Sequence, residues 1–159
     1  MPAAENVNFK YNSLRMKKVA DILKRKGKEI ISVSPQTTVL DSLRLMADRN
    51  IGSVLVMEGD DYKGLMSERD YSRKIVLKGK SSTDTVVAEI MTTDLPVVHP
   101  SDSIEHCMQL LSDKHIRYLP VFENEKLAGI ISINDVVKEI MLSQEETISN
   151  LKDYLHANV

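Results

Sequence analysis

Two short stretches hold residue types that could do chemistry together: Gly64-Leu65-Met66-Ser67-Glu68-Arg69-Asp70 and Gly129-Ile130-Ile131-Ser132-Ile133-Asn134-Asp135. Each reads as a strand that ends on a hydroxyl residue and passes at once into a helix, whose first turn carries an aspartate three positions after the hydroxyl. Backbone N–H groups at a helix start have no intrahelical acceptor and the local dipole is positive, so an anion is stabilised there. A carboxylate on the same turn can accept two hydrogen bonds from a vicinal diol. Hydroxyl, free amides and carboxylate together suit a ribose-phosphate. In a single copy, Ser67 or Ser132 is explained as an N-cap and the aspartate as a favourable charge at the helix dipole. Two copies at a fixed separation favour a ligand.

Other reactive arrangements are missing from the sequence. The histidines are His99, His106, His115 and His156, and no pair has the i, i+4 spacing of a helical metal site. Cys107 is the one cysteine, which excludes an intramolecular disulfide and a cysteine metal cluster. It lies in an apolar helical pattern, as a buried small hydrophobe does. No Gly-rich phosphate loop of the P-loop or Rossmann kind is present. Ser67 has no histidine at matching symmetry in the other half, so nothing asks for bond-making chemistry or a catalytic residue.

The elements that must position the two stretches repeat as well. Ile30 to Val33 reads as a strand closed by Pro35, followed by a helix capped at Thr37 or Thr38 with Val39, Leu43, Met46 and Ala47 on one face. Ser53 to Met57 and Tyr62 to Ser67 read as strands around a Glu58-Gly59-Asp60-Asp61 turn, and Asp70 to Lys78 as a helix. The second half replays this. Val97-Val98-His99-Pro100 answers Ser32-Val33-Ser34-Pro35, Ile104, Met108 and Leu111 form the helical face, and strands are expected at Tyr118 to Phe122 and Leu127 to Ser132. Pro35 and Pro100, Gly64 and Gly129, and Asp70 and Asp135 are each 65 positions apart, without a gap. Each strand-helix-strand-strand-helix half is too small to bury both sheet faces alone. The expected fold is therefore α/β (α+β), with two pseudo-twofold repeats packed sheet to sheet and two equivalent clefts.

The flanks are less patterned. Met1 to Leu14 is expected to be a loose arm, Met16 to Leu23 a short helix, and Lys24-Arg25-Lys26-Gly27-Lys28 a solvated linker. Val87 to Met91 resembles Val19 to Leu23. Ser143-Gln144-Glu145-Glu146 reads as a capping box for a final helix with an apolar stripe at Ile148, Leu151 and Leu155. That stripe fits the protein's own core or a partner helix. The expected divisions are an arm at 1–15, repeats at 16–80 and 81–142, and the helix at 143–159. With 42% hydrophobic residues the chain can bury a core, and its net charge of −2 gives no long-range pull on nucleic acid. No apolar run approaches the roughly 20 residues of a membrane span. No apolar signal core precedes Lys10, and a reducing, cytoplasmic setting is expected.

The doubled unit ending in Gly-apolar-apolar-Ser-x-x-Asp resembles the CBS domain, and the pair resembles a stand-alone two-domain (Bateman) module over Met16 to Leu142. The resemblance implies a regulatory sensor, not an enzyme. Such a sensor binds adenosine derivatives (AMP, ADP, ATP, NAD(H), S-adenosylmethionine) in two clefts and pairs into homodimers, with no metal and no required cofactor. It further implies that Asp70 and Asp135 bind ribose and that Ser67 and Ser132 lie near phosphate. Ile31, Ser32 and Val33, and Val97, Val98 and His99, would frame adenine. In the stretch Arg117, Tyr118, Leu119 and Pro120, the arginine would serve phosphate. The halves differ: Gly52 stands opposite Arg117, and Arg69 opposite Asn134. Arg69 and Arg73, four apart, share a helix face near the first cleft, where a guanidinium fork suits phosphate and a surface ion pair is the plain alternative. A module of another class, an adaptor with vestigial clefts acting through its final helix, fits the same sequence.

Overall fold

A computed structural model describes residues 17–27 and 29–157. The expected N-terminal arm therefore lies outside the described residues. The chain divides into two compact units, the first built from residues 29–96 with 123–128 and the second from the described parts of 1–28, 97–122 and 129–159.

In the first unit, β1 (Ser32–Val33) pairs parallel with β2 (Ser53–Glu58), which pairs antiparallel with β3 (Asp61–Ser67). Helix α2 (Val39–Arg49) connects β1 to β2. Thr38 caps it, its hydroxyl accepting from the Asp41 N–H at 3.1 Å, and Asn50 closes it in the left-handed region. β2 is buried for its first four residues, as expected of a near-continuous apolar strand. Val39, Met46, Val54, Val56, Met66, Ile75, Val87 and Ile90 form the core of this unit. Register sets Ser53 beside Ser67 and Val56 beside Gly64, so the end of β3 emerges next to the start of β2.

The second unit repeats these devices 65 residues on. Ser103 caps α4 (Ile104–Lys114), accepting from the His106 N–H at 3.1 Å, and His115 closes it in the left-handed region as Asn50 closes α2. Val98 takes the place of β1 through a single parallel bridge to Val121. β4 (Tyr118–Glu123) and β5 (Lys126–Ser132) form the hairpin; its turn, with Asn124 and Glu125 both at positive φ, is in the 123–128 stretch grouped with the first unit. Cys107 is fully buried, and burial pushes its thiol up to about 11, in keeping with a packing role.

Several expectations are corrected. The segment after Ser67 is not one α-helix: α3 (Glu68–Tyr71) passes into a π-helical turn at Ser72–Val76, where the Leu77 N–H reaches the Ser72 carbonyl. The Ser143 capping box is not a helix start. One helix, α5 (Ile133–Ala157), runs through it, because nothing between Asp135 and Ser143 interrupts a helix and Ser143 is simply tolerated inside it. Thr147 returns its hydroxyl to the Ser143 carbonyl at 2.9 Å. The basic run is not a linker. Lys24, Arg25 and Lys26 are the last turn of α1 (Val19–Lys26), where cations complement the helix dipole, and Gly27 ends it at φ 90°.

The segments that lead into the two repeats are distributed across the units. α1 opens the first repeat yet belongs to the second unit, while the 3-10 turn Val87–Glu89 opens the second repeat and belongs to the first unit. Within the first unit, Leu65 and Thr92 exchange two backbone hydrogen bonds of 2.9 and 2.8 Å.

Candidate functional site

The two Ser-x-x-Asp turns are complete capping boxes. In the first unit, Asp70 Oδ2 accepts from the Ser67 N–H at 3.0 Å and the Ser67 hydroxyl at 3.0 Å, while the Asp70 N–H donates to Ser67 Oγ at 3.1 Å. Asp70 Oδ1 accepts from the Thr92 hydroxyl at 2.9 Å and pairs with Lys74 Nζ at 2.9 Å. Lys74 Nζ also donates to the Ile90 carbonyl at 2.8 Å, so one ammonium ties the π turn to both the aspartate and the leading segment.

The second turn uses fewer partners. Asp135 Oδ2 accepts from the Ser132 N–H at 2.8 Å and from Lys26 Nζ at 2.9 Å, and the Asp135 N–H donates to Ser132 Oγ at 3.1 Å. Lys26 Nζ also reaches the Ile130 carbonyl at 3.0 Å. Burial alone would raise the Asp135 pKa, but the Lys26 and Ser132 hydrogen bonds and the Lys26 charge outweigh it and hold the carboxyl below its ordinary value. Beside it, Glu139 is 4% exposed and pairs with Arg25.

These bonds correct the expectation of bare amides at the helix starts. The N–H groups of Ser67, Glu68 and Asp70 donate to Asp70, the Gly52 carbonyl and Ser67 respectively. Those of Ser132, Ile133 and Asp135 have the corresponding partners, with the Arg117 carbonyl in place of Gly52. A capping box meets the needs of its own helix, which removes most of the anion-binding capacity that an uncapped start would offer.

The topology gathers the expected cleft residues into two separate sets. In the first unit, β1 and Ile31 just before it lie beside β2, and the carbonyl of Gly52, just before β2, accepts from the Glu68 N–H of the turn. Asp70 and Ser67 are buried there, Ser32, Arg69 and Arg73 are exposed, and Ile31 and Val33 are half-buried. In the second unit the Val98 N–H donates to the Pro120 carbonyl at 3.0 Å, and the Phe122 N–H to the Val98 carbonyl at 2.9 Å. This sets the Val97–His99 segment alongside Pro120 to Phe122 at the middle of β4, with Tyr118 and Leu119 earlier on the same strand, while the Arg117 carbonyl joins the start of that strand to the turn carrying Ser132, Asn134 and Asp135. Val98, Leu119 and Pro120 are buried, and Val97, His99, Arg117 and Asn134 are exposed. The His99 N–H donates to Asp102 Oδ2 at 2.7 Å, matching Ser34 and Thr37 in the first unit.

Sequence reasoning missed Lys26, Lys74 and Thr92. Lys74 was readable as the i+4 partner of Asp70. Lys26 was readable as a helix-end cation before glycine, though its acceptor was not. Thr92 had no local signal, because only the tertiary pairing with Leu65 brings it to Asp70.

The motif glycines serve the leading segments. A Cβ at Gly64 would stand 2.7 Å from the Thr92 carbonyl oxygen, and one at Gly129 would stand 3.1 Å from Leu23 Cδ2. Among the described residues no helix is long and apolar enough to cross a membrane, and no group of three or more His, Cys, Asp or Glu could hold a metal ion.

Comparison with known proteins agrees with this architecture. A CBS domain-containing mitochondrial protein of Arabidopsis thaliana, CBSX3, is 33% identical over 146 residues, covering 86% of this chain and 71% of the relative. The CBS domain-containing protein YhcV of Bacillus subtilis is 31% identical over 131 residues, covering 82% and 92%. A solved structure of a protein with CBS domains from Burkholderia ambifaria is 44% identical, with a TM-score of 0.77, covering 80% of this chain and 96% of the other. The CBS domain model matches residues 19–77 and 87–142, one copy for each of the two repeats, and the chain belongs to the CBS domain family.

Proposed function

We propose that this CBS pair is a regulatory sensor that binds an adenosine nucleotide (AMP, ADP, ATP or NAD(H)) at the two Ser-x-x-Asp turns, and that occupancy alters its packing or partner contacts. The observation that carries the reading is the motif doubled in register, with an acid, a hydroxyl and an extended segment brought together in each unit. Asp70 and Asp135 are the ribose acceptors, Ser67 and Ser132 stand near the phosphate, and Ile31 to Val33 and Val97 to His99 frame the base. Arg69, Arg73 and Arg117 are exposed and carry a charge suited to phosphate. Self-association as a homodimer and a cytoplasmic setting belong to the same proposal. No step of it requires catalysis.

Calorimetric titration of the full chain with AMP, ATP and NADH tests the reading against Asp70→Asn and Asp135→Asn. Loss of a charged hydrogen-bond acceptor should weaken binding at its own site by about 1–3 kcal/mol. Unchanged affinity in both variants removes the ribose assignment.

A second reading has its own support. The carboxylates already have protein partners, and α5 exposes Ile148, Leu151 and Leu155 near its end. An adaptor with vestigial clefts, contacting a partner through that helix, would show no thermal shift with any adenosine compound.

A further inference from the structure

The two carboxylates have unequal capacity left for a diol. A carboxylate offers about four acceptor positions, two on each oxygen. Asp70 takes three hydrogen bonds, from the Ser67 N–H and hydroxyl on Oδ2 and from Thr92 Oγ1 on Oδ1, and Lys74 Nζ forms an ion pair with Oδ1 at 2.9 Å. Asp135 takes the Ser132 N–H and Lys26 Nζ on Oδ2, and the Ser132 side chain also bonds its carboxyl. The Lys26 and Ser132 N–H bonds both fall on Oδ2, which leaves Oδ1 without a donor from outside the Ser-x-x-Asp motif among the described residues. Access follows the same order, since the side chain of Asp70 is 9% exposed and that of Asp135 is 23% exposed.

From this count we infer that the two sites are inequivalent: the turn at Asp135 takes a nucleoside diol directly, whereas the turn at Asp70 is latched by Thr92 and Lys74. The inference rests on the nucleotide reading above and adds which site fills first and which residues restrain the other.

The latch is specific to the Oδ1 partners. Ser67 cannot release Oδ2 without dissolving the cap of α3, because the same two residues make all three cap bonds. Thr92 and Lys74 come from outside the cap and can yield. Lys74 also holds the Ile90 carbonyl, so filling this site changes how the leading segment Val87–Thr92 is tied to the π turn. The second unit has no such latch on its own helix. The position answering Lys74 is Glu139, which pairs with Arg25 instead. Lys26 does bond Asp135, but on the oxygen already used by the cap.

The test is calorimetric titration of the full chain with AMP. Wild type should show a tighter transition that Asp135→Asn removes and a weaker one that Asp70→Asn removes. Thr92→Val keeps shape and charge while freeing one position on Asp70 Oδ1. It should tighten the weaker transition at least threefold and leave the tighter one within a factor of two. Lys74→Met, checked for folding by circular dichroism, should tighten the weaker transition for adenosine, which carries no phosphate to miss the lost charge. Two equal transitions, a tighter one lost in Asp70→Asn, or no tightening in Thr92→Val would overturn the inference while leaving nucleotide binding in place. No binding of AMP at all would remove both.

Discussion

Alanine at the motif glycines should have unequal consequences in the two units. An ordinary carbon–oxygen contact is about 3.3–3.6 Å, and a Cβ at Gly64 would sit 2.7 Å from the carbonyl oxygen of Thr92, with Met91 Sδ at 3.2 Å. The obstacle is backbone, held by the paired Leu65–Thr92 hydrogen bonds of 2.9 and 2.8 Å, so the leading segment has to move as a body. Overpacking of this kind costs about 1–3 kcal/mol. At Gly129 the Cβ would meet only Leu23 Cδ2, at 3.1 Å, the far end of a flexible side chain. Replacing glycine by alanine also narrows the unfolded ensemble, which stabilises by about 0.4–1 kcal/mol where the backbone permits. Neither glycine is among those at positive φ. Gly64→Ala should therefore lose about 1–2 kcal/mol net, and Gly129→Ala should stay within about 0.5 kcal/mol of wild type. At this chain length the first corresponds to a fall in Tm of about 2–8 °C. Differential scanning calorimetry with matched urea titrations reads both. Because Thr92 Oγ1 bonds Asp70, Gly64→Ala should also disturb the first site and leave the second intact. Equal Tm values for the two variants, or a stabilised Gly64→Ala, would refute the assignment of Gly64 to close backbone approach.

Acid should expose the Lys26–Asp135 bond. The Asp135 carboxyl is held below its ordinary value in the fold, so its contribution is present above the unfolded pKa, about 3.9, and is lost as pH falls through the folded one. Urea midpoints between about pH 2 and pH 6 should rise with pH, and Lys26→Met should flatten that rise. The Arg25–Glu139 pair has one nearly buried partner, so Arg25→Met should destabilise by about 3 kcal/mol through the stranded Glu139 charge, with Arg25→Met/Glu139→Leu recovering most of it. A double-mutant cycle in urea measures this, and additive losses would show that the two side chains are not coupled.

What the sequence revealed was periodic. The 65-residue offset predicts matching devices, and the structure has them: Thr38 and Ser103 cap α2 and α4, and Asn50 and His115 close them with nearly the same backbone angles. The core helices and strands followed from apolar spacing, because burial on one face is a local pattern. Three features were not local. The π turn at Ser72–Val76 differs from an α-helix only in hydrogen-bond partner, which no residue type dictates. The assignment of α1 and Val87–Glu89 to their units depends on contacts distant in sequence, such as Ala20 N–H to the Pro100 carbonyl at 2.9 Å. As a block of like charges the basic run reads as a solvated linker. The glycine after it marks a helix C-terminus, where those charges belong.

The Ser-x-x-Asp turn is over-determined, and this governs how far a motif can carry function here. The same serine and aspartate that suit a ribose-phosphate also complete a capping box, so finding the four residues says only that a helix starts cleanly. Recognition of a diol has to come from acceptor positions the cap leaves over. A cap consumes Oδ2 in both units, so the informative atom is Oδ1, and its neighbours come from outside the motif: Thr92 and Lys74 in the first unit, none among the described residues in the second. Two copies with the same key residues can therefore differ in ligand affinity. The difference is encoded in a threonine 22 positions downstream of Asp70, and in whether the position four residues after the aspartate is lysine or glutamate.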